Sequence, residues 1–194
     1  MQPTLRIMLV DDSESRSREL RLMLGDLGHD VVAEVRNPRE LYAKVKTMAP
    51  DVIIIDTDSP SRDTLEHVAL LSEQDPRPIV MFSADRDGDT IRAATRAGVS
   101  AYVVDGLSAT RVEPIIAAAV ARFDAFQAMK HELAQAHTRL SERKLVERAK
   151  GVLMKARGIS EDEAYAALRR TAMERSITIG EVAKRVLEVS DLFG

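Results

Sequence analysis

Three carboxylates and a hydroxyl stand where they could share one site: the adjacent pair Asp11 and Asp12, then Asp56, then Ser83. Each lies at or just past the end of a short apolar run. Carboxylates gathered in one place repel one another, so such a cluster needs a cation. A donor set made only of oxygen suits a hard ion such as Mg²⁺, which keeps several of its waters. With that ion offsetting the charge of a transferring phosphoryl group, Asp56 can act as nucleophile and become an acyl phosphate. The Ser83 hydroxyl can then donate a hydrogen bond to a phosphoryl oxygen. Aspartates also cap helices and end strands, so these residues form a site only if the fold brings them together.

The elements that must do this are legible in the apolar pattern. Residues 5–10, 31–35, 52–56, 79–82 and 101–104 read as strands, with amphipathic helical stretches between them. A continuous run such as Val52-Ile53-Ile54-Ile55 suits a strand covered on both faces, and the alternation with helices implies parallel crossovers. The expected architecture is α/β, a doubly wound five-stranded parallel sheet. Ligands in such sheets collect at the C-terminal strand ends. Asp11 and Asp12 follow the first strand, Asp56 ends the third and Ser83 follows the fourth.

With these residues, residues 1–120 resemble the receiver domain of two-component response regulators, through Asp11-Asp12, Asp56 followed by Pro60, Ser83 and the aromatic Tyr102. The resemblance implies a flavodoxin-like strand order 2-1-3-4-5, Asp56 as phosphoacceptor, and Asp11, Asp12 and Asp56 as Mg²⁺ ligands. It also implies a switch in which Ser83 moves toward the phosphate and Tyr102 turns inward. One position departs from the family: its strand-five lysine belongs three residues after Tyr102, where this chain has Asp105. Exchanging that cation for a carboxylate removes an ion pair worth about a few kcal/mol with the incoming dianion. Two readings follow: a receiver phosphorylated on Asp56, or a receiver fold kept for docking and dimerisation.

Composition bounds the rest. The 194 residues suit one domain of about 120 residues plus a helical appendage. There is no cysteine, hence no disulfide or thiolate metal site, and His29, His67, His131 and His137 are scattered. No signal segment is visible and no apolar run approaches the roughly 20 residues of a membrane span, so a cytoplasmic protein without membrane attachment is expected. The net charge of −3 divides unevenly: residues 1–132 carry 16 Lys/Arg against 22 Asp/Glu, residues 133–194 carry 12 against 9. A basic C-terminal part favours a nucleic-acid partner, although two ordinary domains can differ this much.

Beyond residue 110 the strand pattern stops. Residues 112–121 read as the last helix of the sheet domain, continuing without Gly or Pro into a long helix. Phe126, Leu133 and Leu140 recur every seventh residue with Met129 and Ala136 between them, a heptad pattern that predicts a short coiled coil and a homodimer. Arg143 interrupts the seam, and a helix folded onto its own receiver would use the same apolar face. Ser160…Glu163 and Thr178…Glu181 are capping boxes, and Gly158 ends the long helix. The expected helices span 125–156, 161–174 and 179–190, and the expected domains span 1–121, 122–142 (helical coiled-coil linker) and 143–194. On a helical projection Leu145, Val146, Ala149, Val152, Leu153 and Ala156 form one apolar arc of about 120°. Basic rows flank it: Arg143, Lys150 and Arg157 on one side, Lys144, Arg148 and Lys155 on the other. Arg169, Arg170, Lys184 and Arg185 add charge on the following helices. Such rows suit phosphates, or are simply solvated faces balanced by Glu147, Glu161 and Glu163.

The run Arg143-x-x-Val146-x-x-Ala149-Lys150-Gly151-x-Leu153-Met154, then Glu163-Ala164-Tyr165-x-x-Leu168-Arg169 and Val182-Ala183, resembles a three-helix ANTAR domain. Joined to the receiver, it is similar to the AmiR/NasT family of transcription antiterminators, and the stretches 56–63 and 105–106 resemble its nitrate-assimilation members. The resemblance implies a regulator, not an enzyme, that binds paired hairpins with six-nucleotide loops in nascent leader mRNA and prevents termination. RNA contacts are expected from Arg143, Lys144, Arg148, Lys150, Arg169, Arg170 and Tyr165, although Tyr165 could equally be core; Gly151 permits close approach of a helix or of RNA, or has a plain packing role. The input would be a nitrate- or nitrite-sensing inhibitory protein or a sensor kinase. The alternative is a response regulator whose C-terminal helices read duplex DNA.

Overall fold

The structure, a computed structural model, describes residues 3–104 and 109–193. It divides into two compact units, Met1–Gln127 and Ala128–Gly194.

In the first unit, five parallel strands lie in the order β2-β1-β3-β4-β5: β1 (Arg6–Asp11), β2 (Asp30–Val35), β3 (Val52–Thr57), β4 (Ile79–Ser83) and β5 (Ala101–Val104). The helices α1 (Glu14–Asp26), α2 (Leu41–Met48), α3 (Arg62–Gln74) and α4 (Gly88–Ala97) alternate with them. The last helix, α5 (Ala109–Arg157), begins here and runs on into the second unit. The strand order expected for a receiver is the one observed.

The alternation of side chains along each strand splits the core in two. Met8, Val10, Ile53, Ile55 and Met81 meet Leu41, Val45, Val68 and Leu71 from α2 and α3 and Ala94 from α4. Ile7, Leu9, Val52, Ile54, Val80 and Phe82 meet Leu20 and Leu24 of α1 and Val112 and Ile116 of α5. Burial on both faces is why the strands read as unbroken apolar runs rather than as alternating ones. Each fully buried Ile, Leu or Phe contributes about 1.5–3 kcal/mol, so the central strands dominate this unit's stability. Polar residues are thereby confined to the strand ends.

Local chemistry sets the helix ends. The Ser61 hydroxyl accepts the Thr64 N–H at the start of α3, and the Asp87 carboxylate accepts the N–H groups of Asp89 and Thr90 at the start of α4. Gly98 closes α4 at φ +104°, a backbone angle that a side chain would strain.

In the second unit the C-terminal part of α5 packs with α6 (Glu161–Arg175) and α7 (Ile179–Phe193). Its buried core is small: Val146, Ala149, Leu168, Ala172, Val182, Ala183 and Leu187. Both capping boxes form: Ser160 and Glu163 exchange hydrogen bonds at α6, and Thr178 and Glu181 do so ahead of α7. Gly180 permits a close approach, since a Cβ there would stand 3.0 Å from Glu142 Cγ. The expected apolar arc is only partly core. Val146 and Ala149 are buried, Leu145, Val152 and Leu153 are half-buried, and Ala156 is exposed.

Ile54→Ala is expected to cost about 2–5 kcal/mol, because Ile54 is fully buried in the middle strand and truncation there leaves a cavity. A fall in the urea midpoint at unchanged slope checks this.

Candidate functional site

Parallel register sets Asp11 and Asp56 side by side, paired across β1 and β3, and Thr57 pairs with Ser83 across β3 and β4. Asp56 lines two adjoining hollows. One, of about 350 Å³, is shared with Arg16, Asp58, Phe82 and Ser83. The other, of about 280 Å³, is shared with Asp11, Asp12, Thr57 and Ser59. Asp11 is buried, with a side chain 1 % exposed, while Asp12 and Asp58 are open to solvent. The four residues singled out for chemistry, Asp11, Asp12, Asp56 and Ser83, therefore do converge at one end of the sheet.

A fifth residue joins them. Arg16, one turn into α1, sends its guanidinium into the carboxylates: Nη2 lies 3.2 Å from Asp11 Oδ1 and 2.8 Å from Asp12 Oδ1, and Nη1 lies 2.8 Å from Asp58 Oδ1. Its Nε is 3.8 Å from Asp56 Oδ2, too far for a hydrogen bond. The hydrogen bond that the guanidinium donates to Asp11, together with the charges of Asp11, Asp56 and Asp58, holds it above its ordinary pKa. Among the described residues no three acidic or histidine side chains converge closely enough to hold a metal ion; the carboxylates are arranged about Arg16 instead. Their chemistry still fits a hard cation, because Asp11 Oδ2 is buried without a hydrogen-bond partner. Asp11, Asp12 and Asp56 would hold the ion, which would offset charge on a phosphoryl group. Spacing alone did not reveal Arg16. The only signal was a basic residue four places after Asp12, on the turn that faces the pocket.

Burial pushes the Asp56 carboxyl up to about 6, helped by repulsion from Asp11, Asp58 and Asp12 and opposed by Arg16. Ser83, 3 % exposed, donates from Oγ to the Asp58 carbonyl at 3.0 Å and accepts the Asp85 N–H at 3.1 Å. The Tyr102 hydroxyl donates to the Asp85 carbonyl at 2.9 Å. Ser83 and Tyr102 thus grip opposite sides of one residue on the β4–α4 loop. Asp105, the position of the absent lysine, lies outside the described residues.

On the second unit Arg143, Lys144, Arg148, Arg169 and Arg170 are exposed, and Tyr165 is 46 % exposed. The five cations form no ion pair among the described residues. Lys150 differs from expectation. Its side chain is 9 % exposed and its ammonium binds Glu161 at 2.6 Å and Glu147 at 2.8 Å, which hold its pKa above the ordinary value. Helical spacing placed it on a flank of the core arc, but the start of α6 covers that flank and brings Glu161 to meet it. Gly151 does not serve the close approach of another helix, for apart from its own stretch of α5 no described residue lies within 4 Å of where its Cβ would be. It continues an exposed ridge with Lys144, Arg148 and Lys155, all on one helix face. A groove of about 830 Å³ lies beside it, walled by Val152, Val182 and Val186 and bordered by Lys155, Arg175 and Arg185. On α5 the heptad side chains Phe126, Met129, Leu133, Ala136 and Leu140 are exposed.

Because the folded pKa of Asp56 lies above its ordinary 3.8, folding favours the protonated acid, and stability from this group is lost as pH rises from about 4 to about 6. Asp56→Asn is therefore expected to stabilise the chain at pH 7 in EDTA by about 1–3 kcal/mol, raising Tm by a few degrees. The difference from wild type should vanish below pH 4. A variant no more stable at pH 7 would show that the carboxylate is not strained.

Residues 7–116 match the response regulator receiver domain family and residues 134–187 match the ANTAR domain family. The transcriptional regulatory protein PdtaR of Mycobacterium tuberculosis (strain ATCC 25618 / H37Rv) is 34% identical over 183 residues, covering 94% of this chain and 89% of that protein. The chemotaxis protein CheY of Listeria monocytogenes is 28% identical over 109 residues, covering 56% of this chain and 92% of that one. Among solved structures, a LuxR-family two-component response regulator from Aurantimonas sp. SI85-9A1 superposes with a TM-score of 0.56 at 27% identity, covering 61% of this chain and 86% of that one. A receiver domain from Desulfovibrio desulfuricans G20 superposes with a TM-score of 0.57 at 22% identity, over 63% and 98% of the two chains, and shows the fold alone. No described helix is long and apolar enough to cross a membrane. With a receiver sheet carrying a convergent acidic pocket, followed in the sequence by an ANTAR helical unit, the chain belongs to the response regulators of the receiver-plus-ANTAR type, a family of regulators and not of enzymes.

Proposed function

We propose that this chain is a transcription antiterminator whose C-terminal helices bind paired hairpins with six-nucleotide loops in nascent leader mRNA, stabilising them against an overlapping terminator. The observation that carries the reading is the exposed ridge of Lys144, Arg148, Gly151 and Lys155 in a unit that matches ANTAR. Its cations have no internal partner among the described residues, and the glycine leaves the backbone bare between two of them. Sequence-specific RNA recognition mostly targets loops, whose unstacked bases a helical surface can meet while cations meet the phosphates. Arg143, Arg169, Arg170 and Tyr165 supply further contacts. Lys150 is assigned to holding α5 against α6 instead.

The proposed division is a receiver over 1–121, a linker over 122–142 and the RNA-binding domain over 143–194. In the linker the exposed Phe126, Met129, Leu133, Ala136 and Leu140 are the seam of a homodimer, and a dimer suits an RNA target made of two hairpins. Antitermination on nascent RNA places the protein in the cytoplasm.

For the receiver, Mg²⁺ and a phosphoryl group on Asp56 would draw the Ser83 hydroxyl from the Asp58 carbonyl and the Asp85 N–H. Asp85 also holds the Tyr102 hydroxyl, so the two side chains would move together. The substitution of Asp105 for lysine weakens the pocket for a dianion, which favours a second input: release from an inhibitory protein that senses nitrate or nitrite, with nitrate-assimilation genes as the target.

The reading is tested by binding of the full chain, at fixed salt, to a two-hairpin RNA, a loop-scrambled RNA and a duplex DNA. Loop-dependent RNA binding is expected, and preference for the duplex would replace the reading with DNA recognition. Changing Lys144, Arg148 and Lys155 together to Gln should lower the slope of log affinity against log salt by about 2. Gly151→Leu should weaken RNA binding by roughly tenfold or more while leaving the fold as stable as before or slightly more so, since glycine inside a helix is destabilising by about 0.5–1 kcal/mol.

A further inference from the structure

We propose that Arg16 is the resident cation of the acidic pocket: its guanidinium holds Asp11, Asp12 and Asp58 together when no divalent ion is bound, and must be displaced before one can bind. The proposal rests on the reading of this pocket as a receiver site.

Four carboxylates stand within ion-pair reach of this one guanidinium, at 2.8 Å (Asp12), 2.8 Å (Asp58), 3.2 Å (Asp11) and 3.8 Å (Asp56). A guanidinium can serve them all because its donors fan out in a plane, whereas an ammonium is a point charge. The service is incomplete, and the residue of unmet demand is informative. Asp11 Oδ2 is buried and has no donor, and Arg16 Nε is buried and has no acceptor. An unsatisfied donor and an unsatisfied acceptor in one pocket mean that the guanidinium sits close to, but not at, the position that the buried carboxylate oxygen requires. A compact divalent ion with oxygen ligands at about 2.0–2.1 Å would meet that oxygen.

The ion and the guanidinium cannot both be there, because both draw on Asp11 and Asp12. The structure also supplies somewhere for the arginine to go. Asp58 is solvent-exposed at 86 %, so the Nη1 pair with Asp58 can persist at the surface while Nη2 leaves Asp11 and Asp12. The exchange trades one positive charge for two at the most crowded point of the pocket. It is coupled to the sequence elsewhere, for the same chain carries Asp105 in place of a lysine and so lacks the cation expected from strand five. A pocket of carboxylates with neither lysine nor metal would be left to its own repulsion; Arg16 relieves it.

The test is Mn²⁺ binding to the full-length protein, followed through loss of the free-ion paramagnetic resonance signal, for wild type, Arg16→Met, Arg16→Lys and Asp11→Asn. Arg16→Met is expected to bind Mn²⁺ at least roughly tenfold more tightly than wild type, since a competing charge at contact distance has been removed. It is also expected to melt lower than wild type in EDTA and to recover on adding the ion. Arg16→Lys should fall between the two, and Asp11→Asn should lose binding. Equal Mn²⁺ affinity in wild type and a folded Arg16→Met, with Asp11→Asn still defective, would overturn the role of Arg16 while leaving the receiver pocket intact. Binding in none of the variants would overturn both. As a measurement free of any substitution, the Arg16 Nε–H resonance of wild type should shift on titration with Mg²⁺ and stay fixed if the arginine is not displaced.

Discussion

A parallel sheet covered on both faces leaves its strands no room for polar side chains except at their ends, and that constraint underlies the chemistry of the first unit. With Ile7, Leu9, Val52, Ile54, Val80 and Phe82 buried on one face and Met8, Val10, Ile53, Ile55 and Met81 on the other, Asp11 and Asp56 can only appear where β1 and β3 run out. Because those strands are neighbours in register, the two carboxylates arrive side by side. Burial, with their repulsion added, raises the pKa of Asp56, and that repulsion calls for a cation.

The same loop that closes the pocket ties it to the sheet's far side. Ser83 accepts the Asp85 N–H, Ser59 donates to the Asp85 carboxylate and Tyr102 donates to the Asp85 carbonyl. Hydrogen bonds on both peptide groups and the side chain of one residue make it a node. A change at Asp56 that moves Ser83 therefore has a short covalent and hydrogen-bonded route to β5.

The second unit is stabilised differently. Among the described residues seven buried side chains, three of them alanines that carry little apolar area, form a small core for about 65 residues, and local devices support it. Two capping boxes satisfy the orphan N–H groups at the starts of α6 and α7, and Lys150 joins α5 to α6 through Glu161. The surface left over is basic along one ridge of α5 and apolar in the groove beside it.

Period and composition were enough to read the strands, the layers and both capping boxes, because each depends on residues close in sequence: unbroken β-branched runs for doubly covered strands, a hydroxyl and a glutamate three apart for a helix start. The convergence of Asp11, Asp12, Asp56 and Ser83 was also legible, since strand ends in a parallel sheet lie on one edge by construction. Arg16 was not. Its sequence position says that it lies on the first turns of α1, but whether its side chain turns to solvent or into the pocket depends on where Asp58 and Asp56 stand, 40 and more residues away. Lys150 shows the same limit from the other side. A helical projection places it beside Arg143 and Arg157, but whether it is free for a phosphate depends on Glu161, which only the packing of α6 across α5 brings within 2.6 Å. Sequence alone determined which residues carry charge and on which face of which element. Tertiary structure decided which of those charges already have partners, because ion pairing is set by distances between elements that local periodicity does not encode.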